Sequence, residues 1–276
     1  MNFIDLHAHI QFSAYDKNRD GVIKRAQEAG VKMLTVGTNF ETSEAGITLS
    51  KKYPTDILAT VGFHPSHFNL EWFHDKKEIK QPIKEEFDIE KLRALAQDDR
   101  VVAIGEVGLD YFRLTQPDEE KKLQKDGLVK IINLAQELQK PLMIHCRPSK
   151  GSQDAYHDLF DQFLISNFQF PIILHFFTGN LETVNRFLKL GAYFTFGGVI
   201  TFARDYDEVI RAIPLENIFL ETDAPYVTPE PYRGKQNEPA YVVEVAEKMA
   251  ELKNITVEKL AMIQGENFEK VFRRKF

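Results

Sequence analysis

Eight short β-prone runs recur along this chain, most of them followed by a stretch of helical character, and six end in or next to a histidine or a carboxylate. They fall near Phe3–His9, Lys32–Thr38, Ile57–Phe63, Val101–Glu106, Pro141–His145, Ile172–His175, Ala192–Phe196 and Ile218–Thr222. Segments such as Arg19–Ala29, Glu119–Gln139, Leu181–Leu190 and Tyr206–Ala212 carry helical periodicity, with Gly30 and Gly191 placed as helix ends. Parallel strands need crossover connections, so this alternation predicts an α/β fold, a (β/α)8 TIM barrel. A doubly wound open sheet is the alternative, but the glycine-rich phosphate loop expected after its first strand is absent. A length of 276 residues suits one such barrel, spanning residues 1–276.

Barrels of this kind carry their active sites at the C-terminal ends of the strands. The opening run reads Asp5-Leu6-His7-Ala8-His9. Strict alternation puts Asp5, His7 and His9 on one face and Ile4, Leu6 and Ala8 on the other. The fourth run ends at Glu106, the fifth at His145, the sixth at His175, and the eighth leads into Glu221-Thr222-Asp223. His7, His9, Glu106, His145, His175 and Asp223 thus converge on one mouth from five strands. Six such donors exceed what one divalent ion readily uses, so two ions sharing Glu106 is the economical arrangement. His64, after the third run, is a candidate for contacting a substrate phosphate, or a turn histidine fixed by Pro65. Asp5 and Glu221 are expected to point inward beneath the ligands, either orienting an imidazole, the reading preferred for Asp5, or packed as buried polar groups. Cys146 should point away from His145, into the layer between barrel and helices.

Composition limits the remaining possibilities. One cysteine excludes an intramolecular disulfide. No apolar run is long enough to span a bilayer, and a strand beginning at once leaves no room for a signal peptide, so the expected location is cytoplasmic. A net charge of −6 argues against extended wrapping of a polyanion, although bound cations would add positive charge locally. The stretch from Ser66 to Asp88, with the sole tryptophan Trp72, is long for a βα loop. It reads as a solvated excursion over the rim or as a lid contacting substrate.

The ordered set Asp5-Leu6-His7-Ala8-His9, Gly62-Phe63-His64-Pro65, Gly105-Glu106-Val107-Gly108-Leu109-Asp110-Tyr111, Ile144-His145-Cys146-Arg147, His175-Phe176-Phe177-Thr178-Gly179, Glu221-Thr222-Asp223-Ala224-Pro225 and Arg233-Gly234-Lys235-Gln236-Asn237-Glu238-Pro239 resembles the TatD-related metal-dependent deoxyribonucleases, among the amidohydrolase-like barrels. The resemblance covers most of the chain. It implies one metal held by His7, His9, Glu106 and Asp223, a second held by Glu106, His145 and His175, and magnesium, manganese or zinc as the working ions. It also implies hydrolysis of DNA, with RNA as a further substrate, from the 3′ end. Phe176 and Thr178 stand where the family usually carries cysteine and serine, which bears on substrate preference.

In a two-metal mechanism Asp223 would orient the attacking water and take its proton, with Glu106 bridging and His64 on the phosphate. Arg113, Arg147 and Arg233 lie just past strand ends and could clamp neighbouring phosphates or, equally, form structural salt bridges. Tyr111, Phe112 and Phe177 could stack on a terminal base, although aromatic packing at the rim is the favoured reading for each. A second reading of the same chemistry is hydrolysis of a small ester, lactone or amide, or of aminoacyl-tRNA. A third, a binding scaffold with structural metals, fits poorly because a structural site is normally closed by protein ligands. No protein partner is indicated.

Overall fold

The computed structural model describes residues 2–71, 75–81 and 84–276; Trp72 falls outside them. Among the described residues the strands form one eight-stranded parallel sheet in sequential order. They are β1 (Phe3–Ala8), β2 (Val31–Val36), β3 (Ile57–Val61), β4 (Val101–Asp110), β5 (Leu142–Arg147), β6 (Ile172–Leu174), β7 (Tyr193–Phe196) and β8 (Ile218–Leu220). The first and last strands close the ring through a bridge between Ala8 and Ala224, where His9 N donates to the Ala224 carbonyl at 2.8 Å. The expected TIM barrel is the fold.

The connections are α1 (Arg19–Glu28), α2 (Phe40–Lys52), α3 (Ile89–Ala96), α4 (Pro117–Leu138), α5 (Asp154–Ser166), α6 (Leu181–Leu188) and α7 (Asp207–Ala212), with α8 (Val242–Lys253) and α9 (Val257–Phe272) after the last strand. Their ends follow local chemistry. Asn39 caps α2 by accepting from Thr42 N, Pro117 opens α4, and Gln139 ends it in the left-handed region at φ 54°. Gly30 and Gly191, at φ 71° and 69°, stand two residues past α1 and three past α6, at helix ends as expected.

Strand alternation divides the core in two. Leu34, Leu58, Met143, Ile173, Tyr193 and Phe219 fill the barrel interior, closed below by Phe268 and Phe272 of α9. Met33, Ile144, Leu174, Phe194 and Leu220 face outward onto the helices. Cys146 joins this outer layer, as expected.

Two strands depart from strict alternation. Between Asp5 and Ala8, β1 spends three residues against two on β2, and β4 does the same against β5 between Ile104 and Val107. An extra residue re-aims the side chains beyond it. The expectation for β1 is therefore corrected: Ile4 and Leu6 pack inside the barrel, and Asp5 pairs in register with the outward Met33. Asp5 orients no imidazole. Its carboxyl accepts from His7 N at 3.2 Å and from Thr222 N at 2.9 Å, tying β1 to the turn after β8. Burial pushes it up, to about 8, against those hydrogen bonds.

Candidate metal centre

His7, His9, Glu106, His145, His175 and Asp223 meet at the C-terminal mouth, around a cavity of about 500 Å³. Glu106, on the β4 bulge, lies between two sets of nitrogens. Its Oε2 is 3.4 Å from His7 Nε2 and 3.6 Å from His9 Nε2. Its Oε1 is 2.8 Å from His145 Nδ1 and 3.0 Å from His175 Nε2. Asp223 completes the first set, with Oδ1 3.4 Å from His9 Nε2 and 3.9 Å from His7 Nε2. Asp223 holds a left-handed φ of 54°, which a short polar side chain tolerates better than most.

Two glycines let the strands carrying these groups approach. A Cβ at Gly62 would strike the backbone of Glu106, and one at Gly108, already at φ 143°, would strike the carbonyl of His145.

The partners of each ring decide what its free nitrogen can do. His9 Nδ1 lies 2.8 Å from the Val36 carbonyl, which only accepts, so the proton sits there and Nε2 offers its lone pair to the centre. His145 is turned the other way: Nε2 is 3.1 Å from Asp110 Oδ2, which leaves Nδ1 as the donor atom toward a cation. His64 has the opposite arrangement. Its Nδ1 accepts from Ser66 N at 3.2 Å, so the neutral ring carries its proton on Nε2, 3.4 Å from Glu106 Oε1. That ring donates rather than ligates.

Electrostatics follows from the crowding. Burial alone would raise the Glu106 carboxyl, but the charges of His175 and His64 and the hydrogen bonds with His145 and His175 outweigh it and hold Glu106 well below the usual range. Asp110 is likewise brought down to about 2, against burial, by its hydrogen bond with His145. Burial lowers His64, helped by the charge of His145.

The donor set fits divalent cations. Imidazole nitrogens and carboxylate oxygens are the ligands zinc, manganese and iron take. His7 Nε2 and His9 Nε2 stand 3.2 Å apart, and His9 must present a bare lone pair there. Buried His7 Nδ1 and His175 Nδ1 make no hydrogen bond, leaving both rings anchored from the Nε2 side.

Of the three arginines expected near substrate, Arg113 and Arg147 line the cavity. Arg233 does not join them: its guanidinium lies 4.1 Å over the Phe202 ring and donates to the Thr228 carbonyl. Tyr111 and Phe177 are unavailable for base stacking. Tyr111 faces outward and donates to Asp158 at 2.8 Å, and Phe177 is buried against Phe194 and Tyr156. Glu221 points inward as expected, but it accepts from Phe176 N at 2.7 Å and comes only within 3.8 Å of His175 Nδ1. It anchors the turn after β6.

Two contributors were not expected. Asp110, the outer partner of His145, had a legible signal: Glu106, Gly108 and Asp110 share a face if the strand is carried four residues further. Glu78, within the 66–88 stretch, had none. It reaches the Thr38 hydroxyl at the rim of the cavity, and burial pushes it up to about 7.

The barrel and its mouth define a class, the hydrolases that work with divalent metals. The profile of the TatD related DNase family matches residues 4–273. The chain is 35% identical over 272 residues to YabD of Bacillus subtilis, an uncharacterized metal-dependent hydrolase, covering 98% of each chain. It is 33% identical over 283 residues to TatD of Salmonella typhimurium, described as a 3′-5′ ssDNA/RNA exonuclease, covering 99% of each. Its fold superposes on YjjV, a TatD homolog of Escherichia coli, with a TM-score of 0.82 at 27% identity, over 99% of this chain and 98% of the other. The chain belongs to the TatD-related DNase family. No helix among the described residues is long and apolar enough to cross a membrane.

Proposed function

We propose that this protein is a phosphodiesterase of single-stranded DNA, and of RNA, that holds two divalent cations and digests from the 3′ end. The observation that carries the reading is Glu106, whose two oxygens face separate nitrogen sets. His7, His9, Glu106 and Asp223 would hold one cation, and Glu106, His145 and His175 the other. When bound, such ions lower the pKa of water and offset charge on both the attacking and leaving oxygens of a phosphodiester. Asp223, half-buried at the cavity edge, orients the attacking water and takes its proton. His64, with its proton on Nε2, donates to a phosphoryl oxygen. Arg113 and Arg147 pair with phosphates entering the cavity.

A second reading rests on the opposite wall, where Glu71, Asp75 and Glu78 line the same cavity. An acidic wall suits a substrate carrying an ammonium group, such as an aminoacyl ester, better than a long polyanion. One experiment separates the two. End-labelled single-stranded oligonucleotide is incubated with metal-stripped protein resupplied with magnesium, manganese or zinc, beside a small ester, a lactone and an aminoacyl-tRNA. A ladder shortening from the 3′ end, dependent on metal and absent in Glu106→Ala, is the expected result. Inert oligonucleotides with turnover of an ester would transfer the assignment to the second reading.

A further inference from the structure

Beyond the cluster of histidines the cavity continues sideways into a shallow groove over the loop between β5 and α5. The groove is lined by Phe112, Ser149, Lys150 and Gln153, and shares Arg147 and Thr178 with the main cavity. An isolated exposed phenylalanine needs no explanation. Phe112 is not isolated. It is 45% exposed, and Arg147 covers part of it, with the guanidinium carbon 3.8 Å from the ring centroid. Phe112 and Phe202 are the aromatic side chains that stand exposed among the described residues.

The ring is also held in a fixed place relative to the centre. Asp110 Oδ1 accepts from Phe112 N at 2.9 Å, while Oδ2 of the same carboxylate meets His145 Nε2 at 3.1 Å. One side chain therefore sets the register between an aromatic platform and a candidate ligand. A cation laid on an exposed ring beside the cavity that holds the candidate ligands is the combination that binds a base and its neighbouring phosphate together.

We infer that Phe112 and Arg147 form a stacking subsite for an unpaired nucleobase next to the phosphodiester being cut. The inference rests on the phosphodiesterase reading and deepens it. A paired base is held in its stack and to the opposite strand and cannot turn onto the ring, so the subsite selects single strands. The base lies on the open part of Phe112 and Arg147 bonds the adjoining phosphate.

The test compares the wild type, Phe112→Ala and Phe112→Trp on two single strands of equal length, one with all bases and one abasic in its last three 3′ positions. With manganese, the wild type should cut the base-bearing strand with the higher kcat/KM. In Phe112→Ala that preference should fall about fivefold, the low end of base–aromatic stacking, and Phe112→Trp should restore it. An unchanged preference in Phe112→Ala would overturn the subsite. In parallel, fluorescence of a 3′-terminal 2-aminopurine strand is followed on the same proteins in chelator, where no cutting occurs. Quenching by the wild type and its loss in Phe112→Ala supports the subsite even if neither strand is cut, an outcome that would count against the phosphodiesterase reading alone. Equal quenching by both proteins, or none by either, overturns it.

Discussion

β5 and β6 obey the pleat, and β1 and β4 break it. In β5 the inward sequence is Met143 then His145, and in β6 Ile173 then His175, each apolar residue in the barrel interior and each histidine two positions above it. In β1 and β4 three residues oppose two on the neighbour, and His7 and Glu106 sit within those slips. The regular strands deliver a ligand at a height fixed by the 3.3 Å rise. The slipped strands can place theirs between heights, and Glu106 stands on one of them. Under the proposed two-cation reading, the regular strands supply the second cation's ligands and the slipped ones set the relation between both.

If so, removing the shared carboxylate should do more than removing either set. Glu106→Ala is expected to lower activity by about a thousandfold and to abolish stoichiometric binding of both metals, read by elemental analysis after dialysis. Retention of both ions would dissolve the distinction between the strands. A weaker break is Asp110→Ala, which leaves all six of the expected ligands but frees His145 Nε2. Orienting partners of this kind are worth about 10–100-fold in metal affinity. The loss should fall on one of two ions in a titration, leaving the other unchanged.

The same contrast explains what could be read in advance. Alternation placed His145, His175 and Glu221 inward and Cys146 outward, because those strands keep a period of two. It failed at Asp5, Ile4 and Leu6, since nothing in Phe3–His9 marks the residue at which β1 slips. Asp110 escapes the pattern for a related reason: the β-prone run reads as ending at Glu106, whereas the strand continues to Asp110. Tyr111 and Phe177 stand just past strand ends, where the sequence leaves stacking and rim packing both open, and both pack. Glu78 comes from a segment without periodicity, where only the folded chain shows which of several acids turns inward.

The backbone offers a third break. Gly108 and Gly151 both have positive φ, 143° and 74°, but a Cβ at Gly108 meets the His145 carbonyl whereas one at Gly151 meets nothing within 4 Å. Gly108→Ala should cost about 3 kcal/mol in urea unfolding, strain plus overpacking, and should reduce activity by moving β4 off β5. Gly151→Ala should cost about 1 kcal/mol, the left-handed penalty alone, with activity kept. Equal costs would mean that the approach of β4 to β5 at the bulge stores no constraint.

The smallest expected effect concerns two glutamates on one mouth, Glu106 buried and Glu78 half-buried. Both lose water around the carboxyl, yet the first is held well below the usual range and the second is pushed up to about 7. The cause is what each carboxyl meets: Glu106 has imidazoles around it, while Glu78 is offered the Thr38 hydroxyl and the Asn39 amide. Between about 4.5, where an unfolded chain's glutamate titrates, and about 7, the folded protein therefore keeps on Glu78 a proton that the unfolded chain has released. Stability must fall as pH rises through that window and level off above it. Glu78→Gln cannot release a proton, so its unfolding free energy should gain on the wild type from about pH 4.5 to 7 in metal-stripped protein, and the gap should then stay constant. A gap independent of pH would mean that Glu78 is ionised in the fold, compensated by His9 across the cavity, and that the acidic wall carries its full charge toward any substrate.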